Sequence, residues 1–540
     1  MQLSRSIVEY IRFGNMKIRF RLIFLCCGIT LSGSNLIAAT PVADTGLVVK
    51  TRSGLVEGTY ESGLRVFKGI PFAAPPVGQL RWREPQPVQP WSGIRKALAF
   101  GPRAMQPPIF GDMMFRSNGM SEDCLYLNVW SPAAKPDEKL PVLVYFYGGG
   151  LVAGDGSEFR YDGAAMARRG IVTLTVNYRL GVFGFLCLPE LTKTSPLHAS
   201  GNYGLLDQAA ALRWVKDNIS AFGGDPGRVT IAGESAGSIS VSAQMASPVS
   251  RNLFAGAIGE SGAVMGSLEA MPLAAREEQG KQFMTSVKAK DLAALRQMDA
   301  NAVMEAARAH QWEWFGIAVD GYFLPEPADK IFASGKQANV PLLAGWNSEE
   351  SGSAAVLGNA APTRANFEKA VGRLYGNLAG KVMEVYAPPT DSGVAEAARD
   401  LAGDRFISFG TWKWIDMHAS YSIQPVYRYR YDRPRPATRD GKEPAGKGAS
   451  HSAEIEYALG NLPSNRVFDW QPEDYTVSLI LQEYFANFVK TGNPNGIALP
   501  LWKPVVARQP APVMIIDVRT RLETETTRNR YLLLNQIHGR

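Results

Sequence analysis

Residues 229–238 read Val-Thr-Ile-Ala-Gly-Glu-Ser-Ala-Gly-Ser, with Ser235 at the centre of Gly233-Glu234-Ser235-Ala236-Gly237. A serine hydroxyl attacks a carbonyl only when a base removes its proton and a tight turn holds it clear of the chain. The β-branched run before it predicts a buried strand, and Ser238-Ile-Ser-Val-Ser-Ala-Gln-Met-Ala246 after it predicts a helix. Strand, turn and helix make a nucleophile elbow, and the glycines let the backbone turn sharply and neighbours approach. A similar segment, Gly259-Glu260-Ser261-Gly262-Ala263, lacks the last glycine and opens no helical pattern. Ser261 is therefore expected to be structural or supporting, as is Glu234 beside the nucleophile.

A serine nucleophile also needs a base, an acid to orient it and donors for the oxyanion. Histidines occur at 198, 310, 418, 451 and 538. Where an elbow carries the nucleophile, the chain order is serine, acid, histidine, which removes His198 and disfavours His310. His418 lies in a helical pattern, and His538 in a tail free to fray. His451 sits in the small-residue loop Gly448-Ala-Ser-His-Ser-Ala-Glu454, beyond an apparent strand, and is the expected general base. The acid should close a strand between Ser235 and His451. Gly345-Trp-Asn-Ser-Glu-Glu-Ser-Gly352 offers Glu349 and Glu350, and spacing does not choose between them. Tyr147-Gly148-Gly149-Gly150 follows another strand run, so its bare amides, with the amide of Ala236, could form an oxyanion hole.

The elements that must position these groups alternate along the chain. Short apolar runs at 142–146, 171–176, 229–231, 255–258 and 341–344 predict buried strands, and residues 46–60 a hairpin. Val426-Tyr-Arg-Tyr-Arg-Tyr431 alternates and predicts a more exposed strand. Helical patterns between them, such as 207–219, argue for an α/β fold with helices on both faces of the sheet. Residues 265–335 are mostly helical in pattern, and 434–449 read as a surface loop. No repeat or linker divides residues 40–540, which are expected to be a single domain.

Residues 1–39 differ in kind. Lys17, Arg19 and Arg21 precede the apolar run Leu22–Leu31, and small residues follow around Ala38-Ala39. This is the layout of a secretory signal peptide, implying a secreted or periplasmic protein. Residues 1–15 are an extension or a misassigned start. Cys26 and Cys27 do not fit a lipoprotein site, and no apolar span reaches about 18 residues, so no membrane anchor is expected. The net charge is +7. Five basic residues and one acid fall in 1–39, leaving only +3 beyond it, too mild a balance for nucleic-acid binding. Cys124 and Cys187 remain beyond residue 39 and are expected to be buried thiols. No Cys/His cluster of zinc type occurs, and the chemistry requires no metal or organic cofactor.

Phe67-Lys-Gly-Ile-Pro-Phe-Ala-Ala-Pro-Pro76, Ser121-Glu-Asp-Cys-Leu-Tyr-Leu-Asn-Val129, Asn177-Tyr-Arg-Leu-Gly181, Phe222-Gly-Gly-Asp-Pro226, Val319-Asp-Gly-Tyr-Phe-Leu-Pro325 and Thr491-Gly-Asn-Pro-Asn495 accompany the elbow in order. The chain thereby resembles the type-B carboxylesterases, a family that includes cholinesterases and bacterial p-nitrobenzyl esterases. The resemblance runs from about residue 47 to 520. It implies an α/β-hydrolase fold with helical insertions over a gorge, and a serine esterase acting on a small-molecule ester. It implies Glu350 as the acid, Gly149 and Gly150 with Ala236 as oxyanion donors, and Ser261 as support for the triad. It also implies an acyl side near Gln311, Trp312 and Glu313, which is polar here. That polarity would suit a polycarboxylate acyl group if cations such as Arg116 or Arg160 stood nearby. The alternative is a carboxylesterase for simple neutral esters, and a more distant one is a non-catalytic adhesion member. The family usually pairs the cysteine of its Glu-Asp-Cys-Leu motif with an earlier one, and Ala104 stands at that place. Cys124 is thus expected to be free and the loop 105–123 less tightly tied. Oligomeric state is not legible.

Overall fold

The computed structural model describes residues 46–309, 315–388 and 390–539. Its apolar runs pair into an eleven-stranded sheet. In chain order the strands are β1 (Thr59–Glu61), β2 (Leu64–Pro71), β3 (Tyr126–Ser131), β4 (Leu140–Phe146), β5 (Val172–Val176), β6 (Gly224–Glu234), β7 (Gly256–Glu260), β8 (Leu342–Asn347), β9 (Val426–Tyr431), β10 (Pro512–Ile516) and β11 (Arg521–Thr524). Across the sheet the order is β11-β10-β9-β8-β7-β6-β4-β5-β3-β2-β1. The strands from β5 to β10 run parallel, and the outer pairings are antiparallel. Parallel strands are covered on both faces, which is why β5 and β7 are buried at every residue. Residues 48–57 form the expected hairpin outside this sheet.

The helices relevant to the site are α1 (Tyr203–Asn218), α2 (Ala236–Ala246), α3 (Arg364–Tyr375), α4 (Ala379–Tyr386), α5 (Val394–Gly403), α6 (Phe409–Tyr421) and α7 (Pro472–Thr491). Helices α3 to α5 enclose a small apolar core of their own around Phe367, Val382 and Leu401. A π-helical turn, Asp404–Ser408, joins α5 to α6. The α/β-hydrolase architecture expected from the sequence is thus present.

One element departs from expectation. β9 lies inside the sheet and is largely buried rather than exposed. Its alternation reflects two faces of different chemistry. Tyr427, Tyr429 and Tyr431 pack among aromatic rings. On the other face Arg428 pairs with Glu525, and Arg430 with Asp432. A buried arginine with an acid partner looks, in sequence, like a solvated one. His538 also departs: it closes the helix Arg528–His538 and its ring stacks on Phe409.

Candidate active site

The carboxyl ends of β6, β7, β8 and β9 form one edge, where an open parallel sheet commonly places its ligand. Ser235 follows β6 at once, with φ 55° and ψ −119°, and α2 begins at the next residue. A non-glycine residue at this φ is strained and persists only where its surroundings fix it. Two hydrogen bonds do so. The Ser235 amide donates to the Glu260 carbonyl at 2.8 Å, and the Ile239 amide to the Ser235 carbonyl at 2.9 Å. A Cβ at Gly237 would lie 2.0 Å from the Phe146 carbonyl oxygen, so the close approach of α2 to β4 demands glycine there.

His451 lies between serine and acid. Its Nε2 is 2.9 Å from Ser235 Oγ, and its Nδ1 is 2.6 Å from Glu350 Oε2. With Nδ1–H donating to the carboxylate, Nε2 is free to accept the serine proton. The imidazole is 25% exposed while Glu350 is almost wholly buried, so a small molecule could reach His451 but not Glu350. Glu350 is held by three donors. Ser261 Oγ donates to its Oε1 at 2.5 Å, the Asn347 amide donates to the same oxygen at 2.7 Å, and His451 meets the other. Ser261 thus touches the acid, not the nucleophile. Glu349 points elsewhere, toward Arg399 at 3.3 Å, while its amide donates to the Ala449 carbonyl and ties the acid loop to the histidine loop.

The Gly148–Gly150 loop abuts the serine. A Cβ on Gly148 would lie 3.2 Å from Ser235 Cβ, and Gly149 and Gly150 have φ of 102° and 65°. Ala236 begins α2, where an amide has no carbonyl four residues back to bond. The amides of Gly149, Gly150 and Ala236 therefore belong to two backbone segments that approach each other at Ser235.

Carboxylates crowd the imidazole. Glu234 Oε1 lies 3.3 Å from His451 Nε2. Burial pulls the imidazole pKa down, but Glu234 and Glu350 outweigh it and push it up to about 10. Burial pushes Glu234 up to about 8, against the pull of His451. Glu454, whose Oε2 accepts from Asn347 Nδ2 at 2.5 Å, is pushed by burial and by Glu350 up to about 7. Sequence reasoning missed Asn347, Glu454 and Glu260 as part of this network. It also missed Phe406, whose ring meets that of His451 edge-on at 5.1 Å from the π-helical turn. The repeated Gly-Glu-Ser at 233–235 and 259–261 was the available signal for Glu260.

The remaining candidates sort by surroundings. His198 is exposed. His418 is buried in α6, 2.8 Å from the Val340 carbonyl oxygen. Arg116 pairs with Asp162, and Arg160 with Glu158 and Asp112. His310, Gln311, Trp312 and Glu313 lie outside the described residues. Cys124 and Cys187 are free and buried. Among the described residues no group of His, Cys, Asp and Glu is arranged to hold a metal ion, and no helix is long and apolar enough to cross a membrane.

A family model described as the carboxylesterase family matches residues 45–533. The chain belongs to the carboxylesterase family. As a member it is a carboxylic ester hydrolase. It is 38% identical over 441 residues to a fumonisin B1 esterase of Sphingopyxis macrogoltabida, covering 79% of this chain and 78% of that protein. It is 35% identical over 496 residues to the para-nitrobenzyl esterase of Bacillus subtilis, covering 89% of this carboxylesterase and 97% of the relative. Among solved structures, a PNB esterase matches with a TM-score of 0.78 at 32% identity, over 91% of this chain and 99% of the other. The carboxylesterase of Geobacillus stearothermophilus matches with 0.77 at 30% identity, over 90% and 99%.

Proposed function

We propose that this carboxylesterase cleaves its ester through an acyl-enzyme on Ser235. The observation that carries this reading is His451, bonded to Ser235 Oγ through one ring nitrogen and to Glu350 through the other. His451 takes the hydroxyl proton as Oγ attacks the ester carbonyl, and Glu350 stabilises the imidazolium. The amides of Gly149, Gly150 and Ala236 receive the negative charge on the carbonyl oxygen. The imidazolium then protonates the departing alkoxide. A water, deprotonated by His451, attacks the acyl-enzyme and releases the acid. The test is Ser235→Ala: a folded protein whose kcat falls about 10⁴-fold or more supports the reading. Substantial remaining turnover of any ester defeats it.

For the substrate we propose a fumonisin-type ester, cleaved to release tricarballylate. The 38% identical relative supports this reading. So does an apolar recess of about 240 Å³, lined by Met105, Ile109, Val152, Phe183 and Phe315, where a long carbon chain could lie. It adjoins the glycine loop, because the Val152 amide donates to the Gly149 carbonyl at 3.1 Å. A second reading, hydrolysis of simple neutral esters, is favoured by the ion pairs that Arg116 and Arg160 already make with acids of the protein. Turnover of a tricarballylate ester against a short neutral ester decides: preference for the neutral one removes the fumonisin reading. We further propose that residues 1–39 are a cleaved secretory leader and that residues 40–540 fold as one catalytic domain.

A further inference from the structure

Glu234 and Glu260 each close a parallel strand, and they are direct partners in the β6–β7 register. Paired residues of neighbouring strands point to the same face about 4.8 Å apart. Both side chains are buried. Glu260 Oε1 accepts from the Tyr145 hydroxyl at 3.1 Å, while its Oε2 has no hydrogen-bond partner. Glu234 Oε1 likewise has no hydrogen-bond partner among the described residues and stands 3.3 Å from His451 Nε2. Two buried carboxylates side by side, each with an unpartnered oxygen, cannot both carry charge at low cost. A single proton held by the pair would lower that cost.

We propose that Glu234 and Glu260 bind one proton between them and act as a single monoanion beside the imidazole. Glu260 is then a positioning residue: the share of proton it holds sets how much negative charge Glu234 presents to His451. This rests on His451 being the base of the serine mechanism. The groups facing the pair are few. His451, Glu454, Glu350 and Arg160 face Glu234, and Glu454 and Tyr145 face Glu260. The phenols of Tyr161, Tyr178 and Tyr429 stand around them and stay neutral, burial pushing each far up. Arg160 is already paired with Glu158 and Asp112, so it does not supply the missing countercharge alone. Burial, Glu454 and Glu234 push Glu260 well up against the hydrogen bond from Tyr145, the direction a proton-bearing partner requires.

The test uses opposite shifts. Glu260→Gln removes the second carboxyl and leaves the whole charge on Glu234, close to the imidazole. The acid limb of kcat/KM should move to higher pH by about one unit. Glu234→Gln leaves the charge on Glu260, farther away, so the limb should move to lower pH. Tyr145→Phe keeps both carboxyls but removes the donor that favours charge on Glu260, and it should move the limb in the Glu260→Gln direction by less. A purely structural role would lower kcat/KM without moving the limb. An independent measurement needs no turnover: the infrared carbonyl band of protonated carboxyls in Ser235→Ala protein at neutral pH. Adding either Glu234→Gln or Glu260→Gln should remove one carboxyl from that band. Loss only with Glu260→Gln, or with neither, overturns the shared proton. Because the band is read in the silenced enzyme, failure of the serine mechanism would show separately, as turnover surviving Ser235→Ala.

Discussion

At the scale of single residues, the choice between Glu349 and Glu350 has a direct consequence. Among the described residues Glu350 makes the only carboxylate contact to His451 Nδ1, from a buried position, whereas Glu349 Oε1 faces Arg399 and is 27% exposed. Glu350→Gln should keep the fold and lower kcat by about 10⁴-fold, because the amide favours the wrong imidazole tautomer. Glu349→Gln loses a surface pair worth roughly 0–1 kcal/mol and should change kcat less than about tenfold. Steady-state kinetics on both variants, with melting curves as a control, checks this. The pH dependence has a definite sign. His451 must be neutral to accept a proton, and the neighbouring carboxylates raise its pKa. Activity should therefore be lost as pH falls and climb on the alkaline side. The residues gathered at the candidate site were largely legible in sequence, because histidine is scarce and an elbow restricts its neighbours strongly. Glu260 was not, because its importance lies in which residue faces it across the sheet, and register is a property of the pairing.

At the scale of elements, two contacts can be tested. His418 on α6 donates from Nε2 to the Val340 carbonyl, fixing the helix to the segment that enters β8, while its Nδ1 is buried without a partner. Burial lowers its pKa to about 4 against the pull of that carbonyl. Because the folded pKa lies below the unfolded value near 6.5, the unfolded chain binds more protons between the two. Stability should be complete above about pH 6.5 and fall by about 3 kcal/mol on approach to pH 4. Denaturant unfolding across that range, in the wild type and in His418→Gln, measures it: the variant should lose this component of the pH dependence. The second contact concerns Cys124, which with Ala104, Trp82 and Phe183 lines a cavity of about 10 Å³. Ala104→Cys should form a crosslink under oxidising conditions and add about 3 kcal/mol by closing a loop of some twenty residues. In chains starting at residue 40, thiol titration should fall from two groups in the wild type to one. The element pattern was legible wherever strands were uniformly apolar. It misled at β9, where alternating Tyr and Arg reads as one wet face, although Arg428 is buried against Glu525.

At the scale of the whole molecule, the site geometry bears least on the proposed leader and on the substrate. If residues 1–39 are a leader, protein recovered from outside the cytoplasm should begin near residue 40 by N-terminal sequencing. A start at Met1 or Met16 in that fraction would remove the leader. The substrate was not legible because an elbow encodes attack on a carbonyl, whereas selectivity depends on side chains gathered from distant segments. The Ser235 amide bonds the end of β7, and the Ser261 amide bonds the Gly345 carbonyl of β8 at 2.9 Å. Each reactive turn is thus a further rung of the central ladder rather than a loop hanging from it. Both amides should exchange with deuterium only when the entire sheet opens. The proposed chemistry would therefore share the fate of the central sheet, and heat should silence it by global unfolding rather than by prior loosening of the site.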